Sequence, residues 1–465
     1  MALTGLGSPE QLRDPDYTPP IAKAIPLGIQ HVLAMFVSNV TPAIIISIAA
    51  GIGFGTPDIG AMIYMIQMSM VFAGIATLIQ TIGLGPVGAR LPVVQGTSFA
   101  FLPIMIPLVA GKGVEALPVL FGGVLVGGLF HAVLGTFIGR IRFALPPLVT
   151  GLVVLMIGLA LVKVGIQYSA GGVPNIGKPV YGSLESWSMA LVVIVVTLGL
   201  KFYAKGMWSV AAVLIGLFAG YVFAFFLGEV SFGNVGKAAV FALPDPFHFG
   251  MIQFSFAAII GFCLMSFVSA IETVGDVSGI TKGGAGREAT DKEITGATYA
   301  DGLGSAVAGL FGALPNTSFS QNVGLVAMTG VMSRHVVTFG AIFLIVAGLF
   351  PKFGAVITTI PIEVLGGGVI VMFGMVAAAG VSMLADVTWN RRNMVIFAVS
   401  LSIGLGLQLE PGALQHVPDT ARVLLASGLL PAAFIAIILN LVLPGELAAE
   451  ATEEISGGMA GHKDD

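Results

Sequence analysis

Charged side chains are scarce in this chain of 465 residues, where 9% are Asp, Glu, Lys or Arg and 56% are hydrophobic. A soluble globular protein carries about 25% charged residues, so this composition cannot cover an ordinary water-facing surface. It excludes a soluble enzyme, a nucleic-acid-binding protein and a disordered chain. The net charge of −4 indicates no polyanionic partner.

Several chemical motifs are missing as well. The single Cys263 excludes an intrachain disulfide. The phosphate-loop pattern G-x-x-x-x-G-K-[ST] is absent, which excludes an ATP motor of that type. There is no His-Glu-x-x-His motif or cysteine cluster, and the six histidines are scattered, so we expect no metal site and no cofactor. The match of Gly83-x-Gly85-x-x-Gly88 to a dinucleotide fingerprint is spurious, because Pro86 interrupts it and no strand precedes it.

Long apolar runs dominate the chain instead. About 20 apolar residues cross the hydrocarbon core of a bilayer. We therefore predict an all-α polytopic membrane protein with fourteen spans in two sets of seven. The first set lies at about 25–49, 61–84, 92–110, 114–139, 145–166, 186–204 and 207–228, and the second at about 251–279, 294–313, 316–330, 334–351, 361–380, 393–409 and 423–443.

The distribution of basic residues supports this count. With both termini in the cytoplasm, 14 of the 20 Lys and Arg residues fall on the cytoplasmic side, as the positive-inside rule requires. We predict a cytoplasmic N-terminal tail at 1–24, a first repeat at 25–228, a second repeat at 251–443 and a cytoplasmic C-terminal tail at 444–465. The polar start contains no apolar run typical of a signal peptide, so the first span would direct insertion into the cell inner (plasma) membrane.

Two short matches indicate an internal repeat. The segment 151–158 resembles 367–374, an offset of 216, and Thr97-Ser98-Phe99 reappears at 317–319, an offset of 220. Each half holds seven spans, an odd number, so the second half must be inverted in the membrane relative to the first. Inverted repeats are typical of secondary transporters.

Spans 3 and 10 are short and interrupted. Leu91-Pro92-Val-Val-Gln95-Gly96-Thr97-Ser98 opens the third span, and Leu314-Pro315-Asn316-Thr317-Ser318 opens the tenth. Pro and Gly break a helix, and Ser, Thr or Asn caps the half-helix that follows. We therefore expect each of these two spans to consist of a short strand and a half-helix. Matching broken spans in two halves indicate a substrate site at the membrane midplane.

The half-helix starts carry two aromatic residues and unpaired backbone groups. We expect free amides near Phe99 and Phe319 to donate hydrogen bonds to substrate carbonyls. The two rings, at matched positions, favour a stacking clamp for a flat ring, although bundle packing alone would also explain them.

Polar residues inside spans are the remaining candidates. Carboxylates there are costly and are functional candidates by default. Glu272 and Asp276, four residues apart, share a helix face and would tend to share a proton, and Asp301 lies in the ninth span. Each could instead serve as an interhelical hydrogen-bonding group. The same two interpretations apply to the polar pairs listed here: Gln321-Asn322 and Gln30-His31.

These residues resemble the nucleobase–ascorbate transporter family over nearly the whole chain. Residues 321–330, Gln-Asn-Val-Gly-Leu-Val-Ala-Met-Thr-Gly, match its signature Q/E/P-N-x-G-x-x-x-x-T followed by R, K or G. Gln30-His31 is similar to the dipeptide of its first span, Glu272 to its eighth-span substrate carboxylate, and Asp301 to its ninth-span acidic position. The bacterial xanthine permeases have the most similar pattern.

The resemblance implies a core domain of spans 1–4 and 8–11, a gate domain of spans 5–7 and 12–14, a homodimer, and an elevator-like movement of core against gate. It implies that Glu272, Gln321, Asn322, His31, Ser98, Phe99 and Phe319 bind substrate, and that Asp276 and Asp301, with Glu272, couple protons. Family members that carry purines often have Asn or Thr at the position of Ser98. Ser98 does not decide the substrate range, which could be xanthine alone, xanthine plus urate, or a broader set of purines.

We therefore expect a proton-coupled symporter for a purine nucleobase, with xanthine as the first candidate substrate. Two alternatives stay open: a uracil permease, and an anion carrier with the same inverted-repeat architecture. A membrane-embedded enzyme is excluded because no nucleophile–base pair can be placed.

Overall fold

The computed structural model describes residues 6–141 and 146–444, and these are overwhelmingly helical. A helical segment is present for each of the fourteen predicted spans. The spans other than 3 and 10 correspond to the helices Ile21–Ala50 (span 1), Ile59–Ile82 (span 2), Leu117–Ile141 (span 4), Pro147–Ser169 (span 5), Leu184–Tyr203 (span 6), Ala212–Leu227 (span 7), Phe256–Ile280 (span 8), Asp291–Leu310 (span 9), Arg334–Gly348 (span 11), Ile362–Leu384 (span 12), Arg391–Leu409 (span 13) and Leu429–Val442 (span 14).

Spans 3 and 10 have the interrupted form that the sequence predicts. In span 3 the strand β1, Gln95–Thr97, precedes the half-helix Leu102–Val109. In span 10 the strand β2, Asn316–Ser318, precedes the half-helix Ser320–Thr329. The predicted fold class, helical with two spans built from a short strand and a half-helix, is therefore confirmed.

Length and composition distinguish the spans. Eight helices of the described residues are long and apolar enough to cross a membrane, or nine if the bent pair Arg334–Gly348 and Pro351–Ile357 is one span. Spans 7 and 14, with 16 and 14 residues, are shorter than a full crossing. Further short helices are Pro9–Arg13, Met207–Val210, Gly233–Lys237 and Asp419–Ala426, with 3₁₀ turns at Val114–Ala116, Val173–Asn175 and Pro411–Leu414 and a π-helical turn at Thr281–Ala285.

The chain divides into two compact units. One consists of Met1–Gly139 and Leu161–Phe373, and the other of Arg140–Ala160 and Gly374–Asp465. All candidate site residues lie in the first unit. The repeat boundaries and the division into core and gate remain predictions.

Spans 1 and 11 cross at two glycines. A Cβ on Gly28 would lie 2.9 Å from the Gly340 nitrogen, and a Cβ on Gly340 would lie 2.6 Å from the Gly28 carbonyl oxygen. Small residues allow helix backbones in a membrane to approach this closely. This crossing holds span 1 beside the helix that follows the second half-helix.

The N-terminal segment 6–20 is packed rather than free. Leu12 is buried in an apolar cluster with Val331 and Val336, and its carbonyl accepts a hydrogen bond from Met332 N–H at 2.8 Å. The Arg334 guanidinium pairs with Asp16 at 2.6 Å. The segment predicted as a cytoplasmic tail is thus attached to the connection between spans 10 and 11.

Candidate functional site

The strands of the two broken spans pair with each other. β1 and β2 are antiparallel, with Gln95 opposite Ser318, Gly96 opposite Thr317 and Thr97 opposite Asn316. Both strands are fully buried. The pairing brings the starts of the two half-helices together, as the sequence predicts.

The register refines the sequence repeat by one residue. A two-fold axis that relates two antiparallel strands must pass midway between two directly opposed residues. Hydrogen bonds from Ser98 N to Pro315 O and from Phe319 N to Val94 O flank the pair formed by residues 96 and 317. That axis relates Gln95 to residue 316, an offset of 221 rather than the 220 expected from the Thr-Ser-Phe match.

The outward edge of each strand is bonded by a hydroxyl of a neighbouring span. Gln95 N–H donates to Thr77 Oγ1 at 2.9 Å, from span 2. Asn316 N–H donates to Ser305 Oγ at 2.9 Å, from span 9. The two hydroxyls occupy corresponding places around the two-fold axis. Each accepts from an outward-facing strand N–H that a third strand would otherwise bond.

Asp276 ties span 8 to the second half-helix. Its carboxylate accepts hydrogen bonds from Ser318 Oγ at 2.6 Å and Ser320 Oγ at 2.7 Å. One donor lies at the end of β2 and the other at the first residue of the half-helix. A change in the charge of Asp276 would therefore act directly on the start of span 10.

Asp301 is fully buried and tied to three donors. It accepts from Gln80 Nε2 at 2.8 Å, from Gln95 Nε2 at 2.5 Å and from the Thr273 hydroxyl. These donors come from span 2, β1 and span 8. Asp301 thus links both broken-span strands to the helices around them, because its own helix also supplies Ser305.

Glu272 and Gln321 form the accessible part of the site. Glu272 is half-buried and lies close to the Thr317 hydroxyl and to the carboxyls of Asp276 and Asp301. Gln321 is exposed. The Thr317 hydroxyl is the only hydrogen-bond partner of the Glu272 carboxylate among the described residues, and the Gln321 side chain has none there, so both keep acceptor or donor sites for a ligand.

Asn322 and His31 contact each other and are buried. Asn322 Nδ2 donates to the His31 carbonyl at 3.0 Å and lies 3.0 Å from the His31 Nδ1. Gln30 is also buried, in the same helix of span 1. This contact fixes the second half-helix against span 1 and sets the direction of the adjacent Gln321.

The phenylalanines are placed differently from a symmetric clamp. The Phe99 ring meets Phe373 edge to face, with ring centroids 5.4 Å apart. The Phe319 ring is buried in an apolar cluster with Met35 and Val94. In this conformation Phe319 contributes packing below the site rather than an open stacking face.

Among the amides near Phe99 and Phe319, the amide of Phe319 itself is bonded, because its N–H donates to Val94 O in the strand pair. Ser98 N–H is likewise bonded, to Pro315 O, and Ser98 Oγ accepts from Ala100 N–H at 3.3 Å. Within the described residues the backbone N–H groups of Phe99, Ser320 and Gln321 have no acceptor. These are the amides that each half-helix start offers to a ligand.

Sequence reasoning missed the residues that hold the strands. They are Asn39, Thr77, Gln80 and Ser305, and all are buried. Each is a polar residue in an apolar span, which was a visible signal. Their partners are strand backbone groups and Asp301, and no spacing within one helix can indicate those.

The fold and the polar centre define a class of protein: a multi-span membrane transporter with two broken spans meeting at the site. The family model Xan_ur_permease, described as Permease family, matches residues 22–412. The chain belongs to this family, the nucleobase–ascorbate transporters. It is a permease and not an enzyme.

Relatives of known name cover almost the whole chain. A putative purine permease of Clostridium perfringens is 39% identical over 91% of this chain and 91% of its own length. The uric acid permease PucJ of Bacillus subtilis is 35% identical over 93% and 96%. The xanthine permease XanQ of Escherichia coli is 35% identical over 92% and 92%.

Solved structures with the same fold belong to transporters of low sequence identity. The transmembrane domain of the cyanobacterial bicarbonate transporter BicA has a TM-score of 0.57 at 15% identity, covering 90% of this chain and 97% of that one. SLC26A9 has a TM-score of 0.54 at 13% identity, covering 82% and 62%. These similarities establish the architecture alone.

Proposed function

We propose that the protein is a proton-coupled symporter that imports a purine nucleobase, with xanthine as the first substrate and urate as the second. The observation that carries the proposal is the accessible pair Glu272 and Gln321 beside the unbonded amides of Phe99 and Ser320. Together they supply a charged acceptor, a mixed donor and acceptor, and backbone donors. An oxidised purine presents N–H donors and carbonyl acceptors along its edges.

The recognition chemistry follows from these groups. An ionised Glu272 accepts from two ring N–H groups, while Gln321 both donates and accepts. Hydrogen bonds to a charged group contribute about 1.5–3 kcal/mol, and an unmatched buried group costs a similar amount. A ring with the wrong order of donors and acceptors would therefore bind much more weakly.

The named relatives support a purine. Xanthine, uric acid and purine permeases at 34–39% identity span nine-tenths of this chain. The matches also cover 91–96% of the length of these relatives. Gln321, rather than a carboxylate, favours a ligand that shows a carbonyl at that position.

Proton coupling rests on Asp276. It lies one helical turn from Glu272 and holds the hydroxyls of Ser318 and Ser320. Two carboxyls this close titrate as a pair. Ring N–H groups bound to Glu272 would keep Glu272 ionised and leave the shared proton on Asp276, so substrate and proton would move together.

The other candidates take supporting roles. Asp301, with three donors, holds the strands. Asn322 and His31 set the direction of Gln321, and Ser98 and Phe319 maintain the strand pair. Phe99 is the aromatic residue placed to contact the ring, since its amide is unbonded and its ring borders Phe373.

Movement and assembly complete the proposal. We expect an elevator-like shift of the core domain in the inner membrane, with both termini cytoplasmic, and a homodimer surrounded by lipid. Span 13 supports this setting, because its apolar side chains Val395, Val399 and Ile403 are exposed. In a membrane, lipid or a second copy of the chain would cover them.

The main alternative is an anion carrier, because the solved transporters with this fold include one for bicarbonate. The site disfavours it. Glu272, Asp276 and Asp301 lie together, and a small anion without ring N–H donors would be repelled by these carboxyls with no compensating hydrogen bonds to Glu272. A uracil permease is the alternative within the same chemistry.

Uptake by cells that lack their own nucleobase transporters tests the proposal. Labelled xanthine should accumulate, urate should compete, and uracil and bicarbonate should not. Glu272→Gln should abolish uptake while the protein still reaches the membrane, and Glu115→Gln, at an exposed turn, is the matched control. Equal uptake by the parent protein and Glu272→Gln would contradict the assignment.

A further inference from the structure

The outward edge of β1 has two amides that the partner strand cannot bond. Gln95 N–H is bonded by Thr77 of span 2. Thr97 N–H donates instead to the Asn39 Oδ1 of span 1 at 2.9 Å. Because Thr97 lies two residues before Phe99, the Asn39 contact holds the end of β1 close to the start of the first half-helix.

Asn39 is completely buried, and both polar atoms of its side chain are hydrogen-bonded. Its Oδ1 also accepts from the Thr97 hydroxyl at 3.2 Å, and its Nδ2 donates to the Ser69 carbonyl at 3.1 Å. Its exposed fraction is 0%. The side chain therefore joins spans 1 and 2 to β1, and its complete burial keeps it away from a ligand.

Gly96 shows how tightly this junction is built. A Cβ there would lie 2.0 Å from Phe319 Cε2, 2.8 Å from Met35 Cε and 2.9 Å from Asn39 Oδ1. Span 1 and the two broken spans, 3 and 10, thus meet at Gly96. A displacement of Asn39 would move β1 and the ring of Phe319 together.

We propose that Asn39 is a positioning residue of the transport site, which fixes the direction in which the Phe99 amide points toward the substrate. The inference rests on the proposed function, because the substrate is the readout. Asn39 acts through Thr97 and does not touch the substrate. It differs from Asp276, its counterpart on β2, in carrying no charge, so the first half-span is held regardless of protonation.

Two variants distinguish the position of the Asn39 side-chain oxygen from the hydrogen-bonding capacity of the side chain. Asn39→Gln keeps the donor and acceptor but moves both by one methylene, whereas Asn39→Asp keeps the Oδ1 acceptor in place and loses the donor to Ser69. We expect Asn39→Gln to raise the xanthine KM about tenfold, since a misplaced backbone donor loses about one hydrogen bond. Asn39→Asp should retain a KM closer to that of the parent.

The control is Gln408→Met in span 13. Gln408 Nε2 donates to the Ala160 carbonyl at 2.7 Å, so the control also removes a hydrogen bond of an interhelical amide, but far in sequence from the broken spans. It should lower Tm and leave KM unchanged. The ranking of competing purines should change in Asn39→Gln and not in Gln408→Met.

An unchanged KM and purine ranking in a membrane-inserted Asn39→Gln variant would overturn the inference. Absence of both Asn39 variants from the membrane would also overturn it, because Asn39 would then be a folding residue. Failure of the parent protein to take up any purine would instead contradict the proposed function. The two failures are thereby distinguishable.

Discussion

The Gln95 side-chain amide donates to the Asp301 carboxylate across 2.5 Å, which joins the strand of span 3 to the helix of span 9. Gln80 and Thr273 donate to the same carboxylate. A single buried acid thus holds elements from both halves of the chain. Three side-chain donors and complete burial keep Asp301 from a ligand, in contrast to the accessible Glu272.

Asp301→Asn should weaken this junction. The amide would present a donor where three donors converge, and a buried unsatisfied donor costs about 1–3 kcal/mol. We expect a lower Tm of the detergent-purified protein and a loss of concentrative uptake. Asp386→Asn, at an exposed position, is the control. Unchanged Tm and uptake in Asp301→Asn would show that the network does not support the site.

Gly96→Ala should disrupt the strand pair. The new methyl group would overlap the Phe319 ring at 2.0 Å, and overpacking a tight core costs about 1–3 kcal/mol. Gly406→Ala is the control, because a Cβ there meets no atom within 4 Å. We expect reduced abundance and uptake for Gly96→Ala and parental values for Gly406→Ala. Normal uptake by Gly96→Ala would show that the ring has room to move.

Gln321→Glu should change which base is accepted. A carboxylate only accepts hydrogen bonds when ionised, so it rejects a ligand carbonyl and favours another N–H. Such a mismatch leaves buried polar groups unpaired and discriminates strongly. Competition assays with purines and uracil should show a large loss for xanthine. If every ligand ranks as it does for the parent, Gln321 does not read the base.

Leu12→Asp should detach the N-terminal segment. Leu12 is buried with Val331 and Val336 at the connection between spans 10 and 11, and a carboxylate there would have no partner. We expect a lower Tm and a faster protease cut within residues 6–20. Glu10→Lys, on the exposed side of the same short helix, should behave as the parent does. Equal protease sensitivity of the two variants would contradict the packing.

Much of the fold could be predicted because its signals are local. Apolar runs indicate spans, and the Pro92–Gly96 and Pro315–Ser318 segments indicate the breaks. The pairing of β1 with β2 could not be read from spacing, since it depends on contacts more than 200 residues apart. For the same reason Asn39, Thr77 and Ser305 were missed.

The site was predicted unevenly. Glu272 and Gln321 could be predicted as binding residues, because a carboxylate inside an apolar span and an amide at a broken span have few other uses. Asn322 and His31 were grouped with them, yet they contact each other at 3.0 Å in the interior. Sequence identifies polar residues near a site, but only the packing shows which of them is open to a ligand.

Xanthine accumulation by purified protein in liposomes tests the central claim most directly. With an inward proton gradient, labelled xanthine should rise above equilibrium, collapse with a protonophore and persist when sodium is replaced by choline. Asp276→Asn should bind xanthine without concentrating it, and Glu272→Gln should do neither. Accumulation that requires sodium, or that survives the protonophore, would contradict proton-coupled purine transport by this site.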